Sequence, residues 1–176
     1  MAKQELILGG GCFWCTEAVF EIIKGVSAVE SGYANGEIPN PTYRDICTGE
    51  SGYAEVIKIS FDDEIISTER LLEMFFASHN PTTLNQQGAD RGTQYRSTIL
   101  YSDEVTKELA QTIKEKSQKN YSDSIVTIIE PLKNYYEAED YHQDYYRQNS
   151  TQGYCMAVIP PKIEKVKSLF GENVVD

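Results

Sequence analysis

The run Gly9-Gly10-Gly11-Cys12-Phe13-Trp14-Cys15 constrains this chain more than any other stretch. Residues 4–8 before it are mostly apolar and predict a short buried strand. After it, Phe13, Val19, Phe20, Ile22 and Ile23 recur at helical spacing, which predicts a helix over residues 12–24 closed by Gly25. Glycines between a strand and a helix permit positive φ and let a ligand approach the backbone. The first turn of a helix leaves N–H groups unpaired and carries the positive end of the dipole. A cysteine there has its thiolate favoured, and the thiolate is the nucleophile. Cys12 occupies that point.

Other readings of the same turn compete. Taken alone, Cys12 fits an inert cysteine buried at a strand end. The glycines fit a phosphate cradle, but no Gly-Lys-Ser/Thr follows them. Cys12 and Cys15 form a Cys-x-x-Cys pair on one helix face, a spacing that suits thiol–disulfide exchange. Zinc would need two further ligands. There is no second Cys-x-x-Cys, and His79 and His142 are far apart in sequence, so no metal is expected. Phe13 and Trp14 put aromatic surface beside the thiol, where a methyl or thioether group could rest, because sulfur–aromatic contacts are favourable.

The rest of the chain predicts strands over residues 26–33, 54–61, 96–101 and 125–130, with helices over 67–78 and 102–119. Residues 34–50 and 79–92 read as long polar loops, a kind often functional in a compact domain. Short helices are predicted over 138–147 and 161–170. This order predicts an α+β fold, a two-layer sandwich on a split β-α-β (ferredoxin-like) core with an irregular C-terminal extension. The 176 residues suit a single domain, 1–176, whose segment from about 135 to 176 wraps the core.

Charge narrows the partners. There are 27 acidic against 16 basic residues, a net charge of −11, and no Lys/Arg run, which argues against nucleic acid and anionic membrane surfaces. No apolar stretch approaches the length of a membrane span. The first residues lack the apolar core of a secretion signal, so a cytoplasmic monomer is expected. Structural disulfides are rare there, so Cys12, Cys15, Cys47 and Cys155 are candidates for chemistry.

Attack on an oxidised sulfur needs an acid to protonate the leaving oxygen. A carboxyl kept neutral by burial could supply that proton. Glu55 opens the strand 54–61, but on its residues alone it reads as an exposed strand-edge side chain. Residues 79–97 offer Asn, Gln, Thr, Asp90 and Tyr95 for pocket hydrogen bonds.

Several motifs together carry a family resemblance. They are Gly-Gly-Gly-Cys12-Phe-Trp, Tyr43 with Ile46-Cys-Thr-Gly, Gly52-Tyr-Ala-Glu55-Val, the whole stretch 79–97, and Ala138-Glu-Asp-Tyr-His-Gln-Asp-Tyr-Tyr. In this order, over nearly the whole chain, they resemble methionine sulfoxide reductase A, the family specific for the S epimer of methionine sulfoxide. The resemblance implies that Cys12 is the nucleophile and that Phe13 and Trp14 hold the substrate methyl group. It implies that Glu55 is the acid, that Tyr43 and Tyr95 hydrogen-bond the sulfoxide oxygen, and that Asp90 orients the substrate. It further implies a Cys12 sulfenic acid, a disulfide, and regeneration by thioredoxin or another dithiol, with no cofactor. Cys47 matches a position the family does not use in chemistry, which implies a structural thiol. The family commonly has glycine in place of Cys15, and some members carry a further C-terminal cysteine that is absent here. Gly153-Tyr-Cys155 matches the usual recycling site, so Cys155 is the expected resolving thiol, a mobile tail approaching Cys12 more freely than a Cys-x-x-Cys pair can close. Cys15 is the alternative. The rival activities are a general thiol–disulfide oxidoreductase using Cys12 and Cys15, and a metal- or redox-sensing module.

Overall fold

The computed structural model describes residues 3–175. In chain order the elements are β1 (Lys3–Gly9), α1 (Phe13–Phe20), β2 (Val26–Ala34), α2 (Tyr43–Cys47), β3 (Ala54–Asp62), α3 (Thr68–Ser78), β4 (Gln86–Gln87), β5 (Asp90–Arg91), β6 (Thr98–Tyr101), α4 (Glu104–Ser117), β7 (Ile128–Pro131), β8 (Tyr135–Glu137), α5 (Tyr145–Gln148) and α6 (Gly153–Phe170). Six strands form one mixed sheet in the order β7-β6-β1-β3-β2-β8. Among the described strands, only the β6–β7 pair is parallel. The fold is mixed α+β, with β3 lying between β1 and β2 and β1 lying between β3 and β6.

Alternation along β3 places the chemistry. Ile57, Ile59 and Phe61 point into the main core with Phe13, Phe20, Leu72 and Phe75. Ala54 and Val56 point the other way, into a smaller cluster with Ile7 and Leu100, covered by Leu132 and Tyr135. Side chains alternate with a period of two, so Glu55 shares the helix-facing side with Ile57. It is 2 % exposed, not at a free edge as its residues alone had suggested, because both faces of the sheet are covered here.

Four differences from the sequence reading have local causes. The stretch 34–50 is not all loop: Thr42 and Asp45 cap each other reciprocally and start α2. Helix α1 stops at Phe20 rather than reaching residue 24. The edge strand β8 has three residues, too few to show a period. The C-terminal extension is ordered rather than irregular. A helix start was expected at Pro161, since proline is favoured at the first helical position. Instead α6 begins at Gly153 and runs through Pro160 and Pro161, burying Cys155, Ile159, Val166 and Phe170. No described helix is long and apolar enough to cross a membrane.

Candidate active site

Cys12 caps α1, with φ −61° and ψ 127°. Its carbonyl accepts the N–H groups of Cys15 at 3.0 Å and Thr16 at 3.4 Å. Gly11 precedes it at φ +96°, where a Cβ would lie 2.7 Å from Cγ of Gln87. Only glycine fits both demands. The thiol is 8 % exposed and opens onto a small cavity of about 90 Å³ lined also by Cys15, Asp90, Tyr154 and Lys162.

Glu55 meets the start of α1 from below. The Phe13 N–H donates to its Oε1 at 3.1 Å. Burial pushes the Glu55 carboxyl up to about 8 against that hydrogen bond, with the charges of Asp90 and Cys15 adding to the rise. At neutral pH the group is therefore a carboxylic acid. Tyr95 and Tyr43 face the same carboxyl, and burial followed by the Glu55 charge pushes both phenols up, so they remain proton donors. Tyr43 is held by its N–H to Oε2 of Glu139 at 2.9 Å, while Tyr33 donates to Oε1 of the same residue at 2.8 Å. The exposed Cys47 thiol stands against the Tyr43 hydroxyl.

The aromatic pair divides. Trp14 packs against the cluster of Cys12, Cys15 and Cys155, as does Tyr95. Its indole N–H donates to Nδ1 of His142 at 3.0 Å, and its ring stacks on Tyr145 at 3.8 Å and 7°. Phe13 turns its fully buried ring toward Tyr33 and His142, so what it offers Glu55 is a backbone N–H. Asp90 accepts the Tyr154 hydroxyl on Oδ2 at 2.6 Å.

The thiols differ most from the sequence reading. Cys155 is not on a mobile tail: it is fully buried in the first turn of α6, its N–H held by the Gln152 side chain at 3.1 Å. Cys15 lies against Cys12, with its sulfur 3.7 Å from the Tyr154 hydroxyl. A helix start favours a thiolate, but burial pushes Cys12 well up, and its S–H donates to Cys15. That S–H pulls Cys15 down; burial opposes, and the Tyr154 hydroxyl and the Lys162 charge add to the fall. Between the two sulfurs, negative charge is thus favoured on Cys15 over Cys12.

Tyr154 and Lys162 were not singled out from the sequence. Their eight-residue separation becomes a signal only when one helix spans both, and the expected helix over 161–170 leaves Tyr154 outside it. Elsewhere, the described residues hold one group of three acidic side chains close enough for a cation: Glu17, Glu21 and Asp144. Glu17 already accepts Ser31 Oγ–H at 3.3 Å and the Tyr145 N–H at 3.2 Å, and Glu21 pairs with Arg147 at 3.2 Å.

Fold and site set a cysteine at a helix start beside a buried carboxyl, an arrangement suited to a thiol enzyme. Residues 4–174 match the family model described as peptide methionine sulfoxide reductase. Peptide methionine sulfoxide reductase MsrA of Saccharolobus solfataricus is 50% identical over 167 residues, covering 95% of this chain and 94% of that protein. Reduced Mxr1 from Saccharomyces cerevisiae superposes with a TM-score of 0.82 at 37% identity, covering 89% of this chain and 91% of that one. Mxr1 in complex with Trx2 superposes at 0.57 with 28% identity, covering 81% and 84%. The chain belongs to the peptide methionine sulfoxide reductase family.

Proposed function

We propose that this chain reduces the S epimer of methionine sulfoxide, free or in proteins, to methionine and is reset by thioredoxin or a similar dithiol. The observation that carries the reading is the neutral Glu55 carboxyl held under the helix start that presents Cys12. The Cys12 sulfur attacks the sulfoxide sulfur while Glu55 gives its proton to the oxygen. Tyr43 and Tyr95 hydrogen-bond that oxygen, Asp90 orients the substrate, and Trp14, backed by the buried Phe13 ring, forms the apolar side that receives the methyl group. Methionine leaves and Cys12 becomes a sulfenic acid.

Two thiols then serve in turn. Cys15 closes first, since it lies against Cys12, and Cys155, buried in the same cluster, takes over the disulfide. Thioredoxin reduces the result, a step supported by the Trx2 complex of Mxr1. The cycle needs no cofactor beyond the external dithiol. We read the four central strands with α1 and α3 as a split β-α-β, ferredoxin-like core. The strand order supports this. We also read residues 1–176 as one domain, with the segment from about 135 wrapping the core through β8, α5 and α6. The protein is assigned to the cytoplasm as a monomer.

The test is single-turnover reduction of each epimer of a blocked methionine sulfoxide. Wild type releases methionine from the S epimer only, and Cys12→Ser from neither. Equal rates on the two epimers would overturn the assignment.

A further inference from the structure

Helix α6 carries a lysine into the thiol cluster, and the chemistry above leaves it unused. Tyr154, Val158 and Lys162 repeat at four-residue spacing, so they share one helix face. All three line the cavity beside Cys12, Cys15 and Asp90. Lys162 also lines a deeper void with Gly10, Cys15 and Thr16, so its side chain crosses from α6 to the first turn of α1. Lys162 is only partly exposed there. Among the described residues, no carboxylate forms an ion pair with this ammonium. The largest counter-charge it meets is on the Cys15 sulfur, with smaller ones from the Asp90 carboxylate and Cys12.

We propose that Lys162 is a positioning residue whose ammonium holds one negative charge on the Cys12–Cys15 sulfur pair, with Cys15 as the seat of that charge and the proton acceptor for Cys12. The proposal rests on Cys12 being the nucleophile. The groups that face the pair come from four elements. Tyr154, Cys155 and Lys162 stand on α6, Asp90 on β5, Glu55 on β3, and the two sulfurs face each other at the start of α1. Asp90 and burial disfavour a Cys15 thiolate; the Cys12 S–H, the Tyr154 hydroxyl and Lys162 favour it. Lys165 is a second cation near Lys162, and His79 is kept neutral by burial, which pushes it down to about 3.

The arrangement lets one charge serve both steps. As the Cys12 sulfur bonds to the substrate sulfur, its proton passes to Cys15 and the Glu55 proton passes to the sulfoxide oxygen; as that oxygen transfers to Cys12, the bond between the two sulfurs breaks. The sulfoxide S–O bond breaks and a Cys12 S–O bond forms. The substrate sulfur gains two electrons and the Cys12 sulfur loses two. Cys15 then bonds to Cys12, the new S–O bond breaks, and the Cys15 proton leaves with hydroxide as water. Lys162 returns Cys15 to the charged state once the disulfide is reduced.

The experiment is the pH dependence of iodoacetamide alkylation, read by mass spectrometry on the peptide bearing Cys12 and Cys15. In Lys162→Met the midpoint should rise by about one pH unit, a tenfold smaller thiolate fraction near neutrality. Lys162→Arg should stay close to wild type. An unchanged midpoint in Lys162→Met, or an equal rise in Lys162→Arg, would overturn the proposal; Lys162→Gln gives the same readout if the methionine variant does not fold. Alkylation needs no sulfoxide. A wild type that fails to reduce sulfoxide sinks the functional reading alone, and an unmoved midpoint sinks the lysine's role alone.

Discussion

Glu55 packs against helix α1 and Glu17 stands on it; both are buried, and both hold their protons too tightly. Burial pushes Glu55 up to about 8 and Glu17 up to about 7. What separates them is the use of their oxygens. Glu17 is spent on structure: Ser31 and the Tyr145 N–H bind it, and with Glu21 and Asp144 it clasps α1 to the segment whose Tyr145 ring covers Trp14. Among the described residues Glu55 receives one hydrogen bond, from Phe13, and its neighbours include a thiol pair and the phenols of Tyr33, Tyr43 and Tyr95. A raised carboxyl is therefore not a site by itself. It becomes one when a lone pair or proton is left over and a reacting atom stands beside it.

Substitutions can break that contrast. Cys12→Ser should abolish methionine release. Glu55→Gln removes the acid and should slow single turnover by roughly 100-fold or more, the usual scale of a positioned proton donor. Glu17→Gln, with the same chemical change on the other side of α1, should leave the single-turnover rate within about twofold of wild type. If the two glutamine variants lose rate equally, the contrast fails.

The thiols sharpen it further. Cys155→Ser should abolish thioredoxin-coupled turnover and keep single-turnover methionine release; unchanged multiple turnover would remove Cys155 from the cycle. In Cys15→Ser, mass spectrometry after one turnover should find the Cys12 sulfenic acid persisting. Prompt closure onto Cys155 in that variant would make Cys15 dispensable.

The smallest effect concerns stability. Glu21 is pushed up to about 8, by burial first and then by Asp144 and Glu17, so it behaves like Glu17. Carboxyls whose folded values lie above the unfolded one favour folding fully below about 4.5 and lose that contribution as pH rises toward 7 to 8. The melting temperature should therefore fall between pH 5 and pH 8.5. Glu21→Gln should flatten that slope by a few degrees; an unaltered slope would show that the clasp is not titrating.

Much of this contrast could be read from residue order. The apolar positions 57, 59 and 61 fix the parity that puts Glu55 on the helix-facing side. What they could not show is that the opposite face is also covered, by Leu132 and Tyr135 from a distant segment. The glycine turn announced Cys12 as a helix start, and it is one. The location of the charge was not legible, because burial and the neighbouring Cys15 act through tertiary contacts and outweigh the helix end. Lys162 and Tyr154 stayed hidden for a local reason. Pro160 and Pro161 read as a boundary, yet α6 continues across them because Ile159 and Val166 are buried on either side.

The most direct measurement is the pH dependence of single-turnover methionine release from the S epimer, in wild type and in Glu55→Gln. A required acid held near 8 gives a wild-type rate that declines above that pH, with the glutamine variant slow and without that decline. A wild-type rate that climbs through pH 8, or a glutamine variant as fast as wild type, would show that the proton comes from elsewhere.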